Sequence, residues 1–528
     1  MPGTQDQSEK LTTKPRQFLW LLLGTAGIVR VFLATHELPN GLFDDAYVTL
    51  RYAANLVKGL GLVFNSGERV MGTTSPLFTF LLALSSGILG PRHLEVLAVS
   101  FGLLASLGTL YFCECSLSAV GLPPAITWTF LAVLAFVPSF ISNSVSGMET
   151  PLVLFLMSLS LYLYIKNRLL WLSIVGFLLF LARIDTGFWL LALGIDLFVS
   201  RWPKRLSELV RPLLIFCGAL AVWLSFLKLY FGTIVPQSVV GKGVSHGSFV
   251  IPDWNYVLTF LSAFVPAERF GIWGLAAIAT VFLILIPSGL DLWRNYQKLR
   301  PILYFFMLYA ATFLAVRAPL FSWYSIPSKW AFYLVAVYAI WQFVSSETVR
   351  SFLPLKPNHA MAILGVILLG IGVRSLTNRG EVSSADAPLV VSKFIEDNLP
   401  STGTVFLEHI GLIGYRSGCY IYDSMGLVTP ETIRLKRKYG SEWLPKAARE
   451  YHADIVIFYD SDLPAVQSQI DDDAIWFQKN YNHVKNYQLG NILASIYFKR
   501  DSTLIRKQHV MSKNRIQAAP IGELVLWK

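Results

Sequence analysis

The stretch Asp44-Asp45-Ala46-Tyr47-Val48-Thr49-Leu50-Arg51-Tyr52-Ala53 stands directly after the first long apolar segment of a 528-residue chain. Two adjacent carboxylates at the edge of a membrane segment are costly unless they bind, titrate or catalyse, so this pair is the first place to look for chemistry. From Asp45 onward, Tyr47, Arg51, Asn55 and Lys58 recur at helical spacing opposite Ala46, Leu50, Ala53, Ala54 and Val57. That pattern predicts an interfacial helix lying along the bilayer. Asp44 also suits a helix cap, but capping alone leaves the second Asp without a role.

Composition sets the class around this stretch. The chain is 54% hydrophobic, 14% aromatic and only 15% charged, which reads as a polytopic membrane protein. Its surplus of eleven positive charges is uneven, with 18 Lys/Arg against 17 Asp/Glu from Arg379 onward and 26 against 16 before it. The excess belongs to membrane-flanking loops, and no nucleic-acid partner is needed to account for it. Of the four cysteines only Cys419 lies in the polar tail, so a disulfide framework is excluded. The N-terminal Lys10, Lys14 and Arg16 precede an apolar run that is read as an uncleaved first span.

Basic clusters at 166–168, 201–205, 294–300 and 350–359 are expected to be cytoplasmic. Working outward from them gives eleven spans, near residues 17–36, 98–117, 125–141, 151–165, 169–182, 188–200, 209–231, 271–290, 301–316, 331–344 and 360–373. An odd number of spans puts the tail outside. The run 76–89 does not fit this parity; at about 14 residues it is short for a span and reads as re-entrant or interfacial. The expected architecture is a polytopic α-helical membrane domain over 1–376, with a first outer loop at 37–75, followed by a small extracytoplasmic α/β domain over 377–528. In that tail a helix is expected at 389–398 and strands at 404–408, 453–459 and 493–498.

With this topology the unusual polar residues all face outward. Glu149 is either a helix start before Thr150-Pro151 or a ligand. Arg183 and Asp185 are either a local ion pair at a turn or part of a site. Lys242 lies in a flexible Gly-Lys-Gly loop, and Trp323 and Tyr324 also suit a membrane interface. Acids, cations and aromatics together at an outer membrane face match a transferase that uses a lipid-linked phosphosugar. A carboxylate takes the acceptor hydroxyl proton, and a metal or an Arg or Lys neutralises the departing phosphate.

The stretch from Asp44 to Ala53, together with Gly59-Leu60-Gly61, Phe64-Asn65-Ser66-Gly67-Glu68-Arg69 and Thr74-Ser75-Pro76, resembles the first outer loop of the GT-C membrane glycosyltransferases. Within that superfamily it is most similar to polyprenyl-phosphate-dependent enzymes related to the mycobacterial terminal arabinofuranosyltransferase. Further matches are Gly147-Met148-Glu149-Thr150, Tyr230-Phe231-Gly232 with Pro236, Ile410-Gly411 through Gly418, Asp423 and Gly426-Leu427-Val428. They follow the family's order along nearly the whole chain.

The resemblance implies an inverting transfer of one sugar from a polyprenyl-phosphate donor to a glycan or lipid-linked acceptor of the cell envelope, at the outer face of a bacterial cytoplasmic membrane. It implies Asp44 as catalytic base and Asp45 as a partner that holds a ligand, a cation or the base. Glu149, with Asp45, is the expected holder of a divalent cation. Arg183, Lys242, Arg51, Trp323 and Tyr324 are the expected contacts to donor phosphate and substrate. Asp44, Asp45, Glu149 and Arg183 are expected to line one cavity. Two rivals remain: a secondary transporter, which should show internal repeats and midplane charges, and a non-catalytic membrane protein that handles lipid-linked sugars and tolerates loss of Asp44.

Overall fold

A computed structural model describes residues 5–505 apart from 204, 247–253, 265–273, 318–320, 353–355, 378–385 and 490–491. The chain divides into two compact units. A helical unit comprises Met1–Thr35, Val99–Trp223 and Gly247–Thr377, and a mixed unit comprises His36–Ala98, Leu224–His246 and Asn378–Lys528.

Each expected apolar segment is helical, 125–141 as two helices, and the first three residues of 271–290 lie outside the described residues. Among the described residues, five helices are long and apolar enough to cross a membrane: Gln17–Asn40, Leu94–Ala119, Ser207–Phe231, Gln297–Val316 and Pro357–Arg374. A bent pair, Pro124–Phe136 and Pro138–Ser144, makes a sixth. By length and apolarity alone, five or six of the eleven expected crossings qualify. Thr150–Ile165 and Leu169–Ala182 are apolar but shorter, and Ser322–Ser345 opens with polar residues and carries Pro327.

The 57° bend of that pair has a chemical cause and a chemical remedy. Pro138 has no N–H, so the Leu134 carbonyl loses its helical partner, and the break exposes Ala135 as well. Arg30, fully buried, replaces both: its Nη2 donates to the Leu134 oxygen at 3.1 Å and its Nη1 to the Ala135 oxygen at 3.0 Å. A polar backbone freed at membrane depth has to be satisfied by protein, and an arginine with several donors does so for two carbonyls at once.

In the mixed unit, strands β1 (Thr404–Leu407), β2 (Tyr420–Asp423), β3 (Ile455–Tyr459), β4 (Tyr481–Leu489) and β5 (Ile492–Lys499) form one sheet in the order β2-β1-β3-β5-β4. The first three strands are parallel, and β5 is antiparallel to both β3 and β4. Three strands and the helix Asp386–Asn398 lie where the sequence places them. The strands β2 and β4 escaped it: one is only four residues long, and the other is an edge strand with polar residues on much of its length.

The expected separation at residue 377 is not how the mixed unit is built. The first loop packs into the tail: Val48, Tyr52, Leu62 and Phe64 share one core with Val405, Ile421, Ile455 and Ile457. Asn65 pairs with the exposed edge of β2, its Nδ2 donating to the Ile421 oxygen at 2.9 Å and its Oδ1 accepting from the Ile421 N–H at 3.0 Å. A side-chain amide thus closes a sheet edge. The helix Asp44–Val57 is consequently buried by protein from Ala46 through Asn55, which corrects the expectation that it lies along the bilayer. The amphipathic pattern was real, but the apolar partner is the tail. Next to it, Pro76–Leu89 is one helix that buries Phe78, Leu82 and Ala83 and leaves Leu84, Ile88 and Leu89 exposed.

The two ends of this unit meet at Gly411. A Cβ there would collide with the backbone carbonyl of Asp44, so only glycine lets the helix Ile410–Ser417 approach the first loop. Gly411→Ala should cost about 1–3 kcal/mol through overpacking and lower the apparent melting temperature of the purified protein. Gly243→Ala, where a Cβ meets nothing within 4 Å, should leave it unchanged.

Candidate functional site

The Asp pair heads the helix Asp44–Val57, whose cap residue is Phe43, with no side-chain cap bond. The Asp44 carboxylate instead caps a different helix. Its Oδ2 accepts from the Gly411 N–H at 3.0 Å and its Oδ1 from the Leu412 N–H at 2.8 Å, the first amides of Ile410–Ser417. An anion suits this position because a helix N-terminus presents unpaired donors and a positive partial charge. Each oxygen keeps further lone-pair capacity, and the residue is only half-buried. Burial pushes the Asp44 carboxyl above its ordinary value, and the charge of Asp45 adds to this, while His409 and the two amides oppose it.

Asp45 is a third exposed and faces Lys242, with Oδ2 and Nζ 3.5 Å apart. Lys242 belongs to the helix Gln237–His246, so the Gly-Lys-Gly segment is ordered structure rather than a flexible loop. His409 is exposed and sits between the carboxyl end of β1 and the helix that Asp44 caps. Its Nδ1 is 2.8 Å from the hydroxyl of Tyr459, the last residue of β3. In parallel sheets, ligands gather outside the carboxyl ends of the strands where the order reverses, and β1 and β3 flank that point here. His409 and Tyr459 were missed from the sequence, although the signal was present: a histidine just past a buried strand already placed at 404–408.

Arg51 proves to be a strut. It is buried, its Nε donates to the Phe64 oxygen at 2.8 Å and its Nη2 to the Cys419 oxygen at 2.7 Å, and the guanidinium stacks over the Phe64 ring. Those bonds commit it to joining the first loop to the tail, in place of the expected contact with substrate.

The helical unit holds the second group. Arg183 is almost fully buried and forks onto Asp185, Nε to Oδ1 at 2.7 Å and Nη2 to Oδ2 at 3.0 Å. Its Nη1 reaches Thr150 Oγ1 at 3.2 Å, the Trp323 oxygen at 3.4 Å and Glu149 Oε1 at 3.8 Å. The Tyr324 ring lies 5.5 Å from the guanidinium, and the Tyr309 hydroxyl is within hydrogen-bond distance of both Asp185 and the Tyr324 oxygen. Glu149, Arg183, Trp323 and Tyr324 are therefore brought together, while Asp44, Asp45 and Lys242 form a group in the mixed unit.

Neither group has the donor set of a divalent-cation site. Among the described residues, no three His, Cys, Asp or Glu side chains gather as ligands. Glu149 lies 3.8 Å from the Arg183 guanidinium and Asp45 3.5 Å from the Lys242 ammonium, cations that already offset these carboxylates.

The fold as a whole has known counterparts. It resembles the crystal structure of an Archaeoglobus fulgidus oligosaccharyltransferase in the apo form, with a TM-score of 0.55 and 11% identity over 89% of this chain and 73% of that one. The structure of that enzyme tethered by a disulfide to an acceptor peptide with the NVT sequon gives a TM-score of 0.52 at 10% identity, with the same coverage. The chain shares the fold of that oligosaccharyltransferase. In sequence, the chain is 27% identical over 299 residues to the terminal beta-(1->2)-arabinofuranosyltransferase of Mycobacterium tuberculosis. That match takes in 49% of this chain and 42% of the relative, so the chain spans less than half of that protein's length. Residues 377–509 match a family described as a domain of unknown function (DUF8728).

The bidentate Arg183–Asp185 pair is the strongest contact of the group in the helical unit. Asp185→Asn removes the closer of the two carboxylates that face a buried guanidinium, leaving only Glu149 at 3.8 Å, and should cost about 3 kcal/mol or more. Glu149→Gln, at the longer contact, should cost less. The order of apparent melting temperatures in detergent, wild type above Glu149→Gln above Asp185→Asn, checks this.

Proposed function

We propose that this protein is a membrane-bound, inverting glycosyltransferase that moves one sugar from a polyprenyl-phosphate donor to a glycan or lipid-linked acceptor at the outer face of the cytoplasmic membrane. The observation that carries the reading is the Asp44 carboxylate, fixed by two amides and only partly buried, beside Asp45 and Lys242. The GT-C-type fold and the arabinofuranosyltransferase relative support it. A lipid-linked donor fits because nucleotide sugars are cytoplasmic.

In this mechanism Asp44 takes the proton of the acceptor hydroxyl as its oxygen attacks the anomeric carbon opposite the phosphate. The bond from that carbon to the phosphate oxygen breaks, the configuration inverts, and the lipid phosphate leaves with the electron pair. A base held in one orientation spends no reorganisation at the moment of transfer. Lys242, positioned by Asp45, neutralises the departing phosphate. No step is assigned to a metal.

The test is transfer by the purified protein against a panel of polyprenyl-phosphate pentoses and hexoses. Asp44→Asn should lose about two to four orders of magnitude in rate and still bind donor. Near-normal turnover by Asp44→Asn would remove it as the base, and loss in Asp45→Asn instead would pass the role to its neighbour. Because the Asp44 carboxyl is raised and a base has to be ionised, activity should fall as pH drops through that raised value. The acid limb of kcat/KM should therefore lie above the ordinary aspartate value of about 3.9.

The tail is assigned to the side away from the cytoplasm, as the basic-loop pattern requires. A reporter active only in the cytoplasm, fused after Lys528, should be silent. Activity there would reverse the assigned orientation.

A further inference from the structure

A cleft in the mixed unit has neither Asp44 nor Asp45 in its lining. It has a volume of about 440 Å³ and opens between the helices Gln237–His246 and Pro430–Tyr439. Val240 and Ile433 give it an apolar floor, and every charged side chain that lines it is basic: Arg434, Arg437 and Lys438.

These three charges are not equally free. Arg434 is paired with both Glu431 and Glu450. The Lys438 ammonium lies over the Tyr439 ring, 4.8 Å from its centre, an arrangement that leaves the charge itself uncompensated. Arg437 has neither hydrogen bond nor ion pair among the described residues and is exposed. The cleft thus presents about two unneutralised positive charges over an apolar base, which is the chemistry of an anionic amphiphile.

Its walls are built before any ligand arrives. The Gln237 N–H donates to the Met71 oxygen at 2.8 Å, and the Gln237 Nε2 to the Gly426 oxygen at 3.0 Å. Gly241 lies so close to the same loop that a Cβ would come within 3.0 Å of the Met425 and Gly426 carbonyls. A prebuilt wall removes the ordering cost from binding. Along the chain, this wall starts six residues beyond Phe231, the end of a helix long and apolar enough to cross a membrane. Six residues reach at most ~20 Å, so the cleft is within reach of a bilayer surface.

We propose that this cleft binds the phosphate of an anionic phospholipid headgroup, with Arg437 and Lys438 as the phosphate contacts and Val240 and Ile433 against the apolar part. Arginine is suited to the role because its planar fork matches two phosphate oxygens. The site faces away from Lys242: Gln237 and Val240 lie on one side of their helix and Lys242 on the other, towards Asp45. The proposal does not depend on the transfer reaction assigned to the Asp pair.

The full chain in detergent is titrated with dioctanoyl phosphatidylglycerol, with dioctanoyl phosphatidylcholine and with inorganic phosphate, and binding is read by calorimetry. Wild type should prefer the phosphatidylglycerol and lose affinity as salt is raised. Arg437→Ala/Lys438→Ala should weaken that binding by about tenfold or more, in line with the loss of two charge-assisted contacts. Lys479→Ala, an exposed lysine elsewhere in the same unit, should leave it unchanged. Both altered residues of the double variant are exposed, and an unchanged unfolding curve confirms that it folds. Equal binding by the double variant, equal affinity for the two lipids, or inorganic phosphate binding as tightly as phosphatidylglycerol would each overturn the proposal, the last in favour of a soluble phosphate ligand.

Discussion

The bond between the Asp44 carboxylate and the amides of Gly411 and Leu412 is the constraint on which the mixed unit turns. It satisfies two donors at the start of one helix with an acid at the start of another, and so fixes the angle at which the first loop meets the tail. Arg51 and Asn65 work in the same direction, bonding the loop to Cys419 and Ile421 at the start of β2. The apolar contacts of Tyr52 and Phe64 add burial to these polar ties. Without the glycine at 411 the two helix starts could not come close enough for the amides to reach the acid.

A carboxylate that organises structure and is also offered to a substrate has conflicting demands. Amide bonds and a nearby histidine favour the charged form, whereas burial favours the neutral one, and at Asp44 burial prevails. Asp45 faces the Lys242 ammonium, 3.5 Å away, rather than a pair of backbone amides. Two adjacent acids therefore occupy different electrostatic settings, the usual way in which one pair of identical groups acquires two roles.

Much of this was legible in the sequence wherever one local signal sufficed. Apolar runs marked the helices, and Val, Ile and Phe at 455–459 marked the buried strand β3. Glu149 and Arg183 were expected in one cavity with Asp44 and Asp45, whereas the helical unit gathers Glu149, Arg183, Trp323 and Tyr324 and the Asp pair belongs to the mixed unit. What stayed hidden was set by partners distant in sequence. The amphipathic face of Asp44–Val57 is the same whether it meets lipid or the tail, and no periodicity distinguishes the two. Arg51 on that face looked available, yet the carbonyls that occupy it belong to Phe64 and Cys419. His409 needed a sheet topology before its position at a strand's end acquired meaning.

The Asp44 bond also sets a timetable. Its partners are separated by 367 and 368 residues, so the acceptor exists long before the donors have been made. At ordinary rates of chain synthesis that interval is roughly 20–70 s. During it the faces of Tyr52 and Phe64, buried in the finished protein, have no tail to cover them, and contacts so distant in sequence are slow to close in any case. The first loop is thus an unfinished half of a domain for most of the chain's biogenesis, and protecting those aromatic faces until the last strands emerge falls to whatever assists the protein into the membrane.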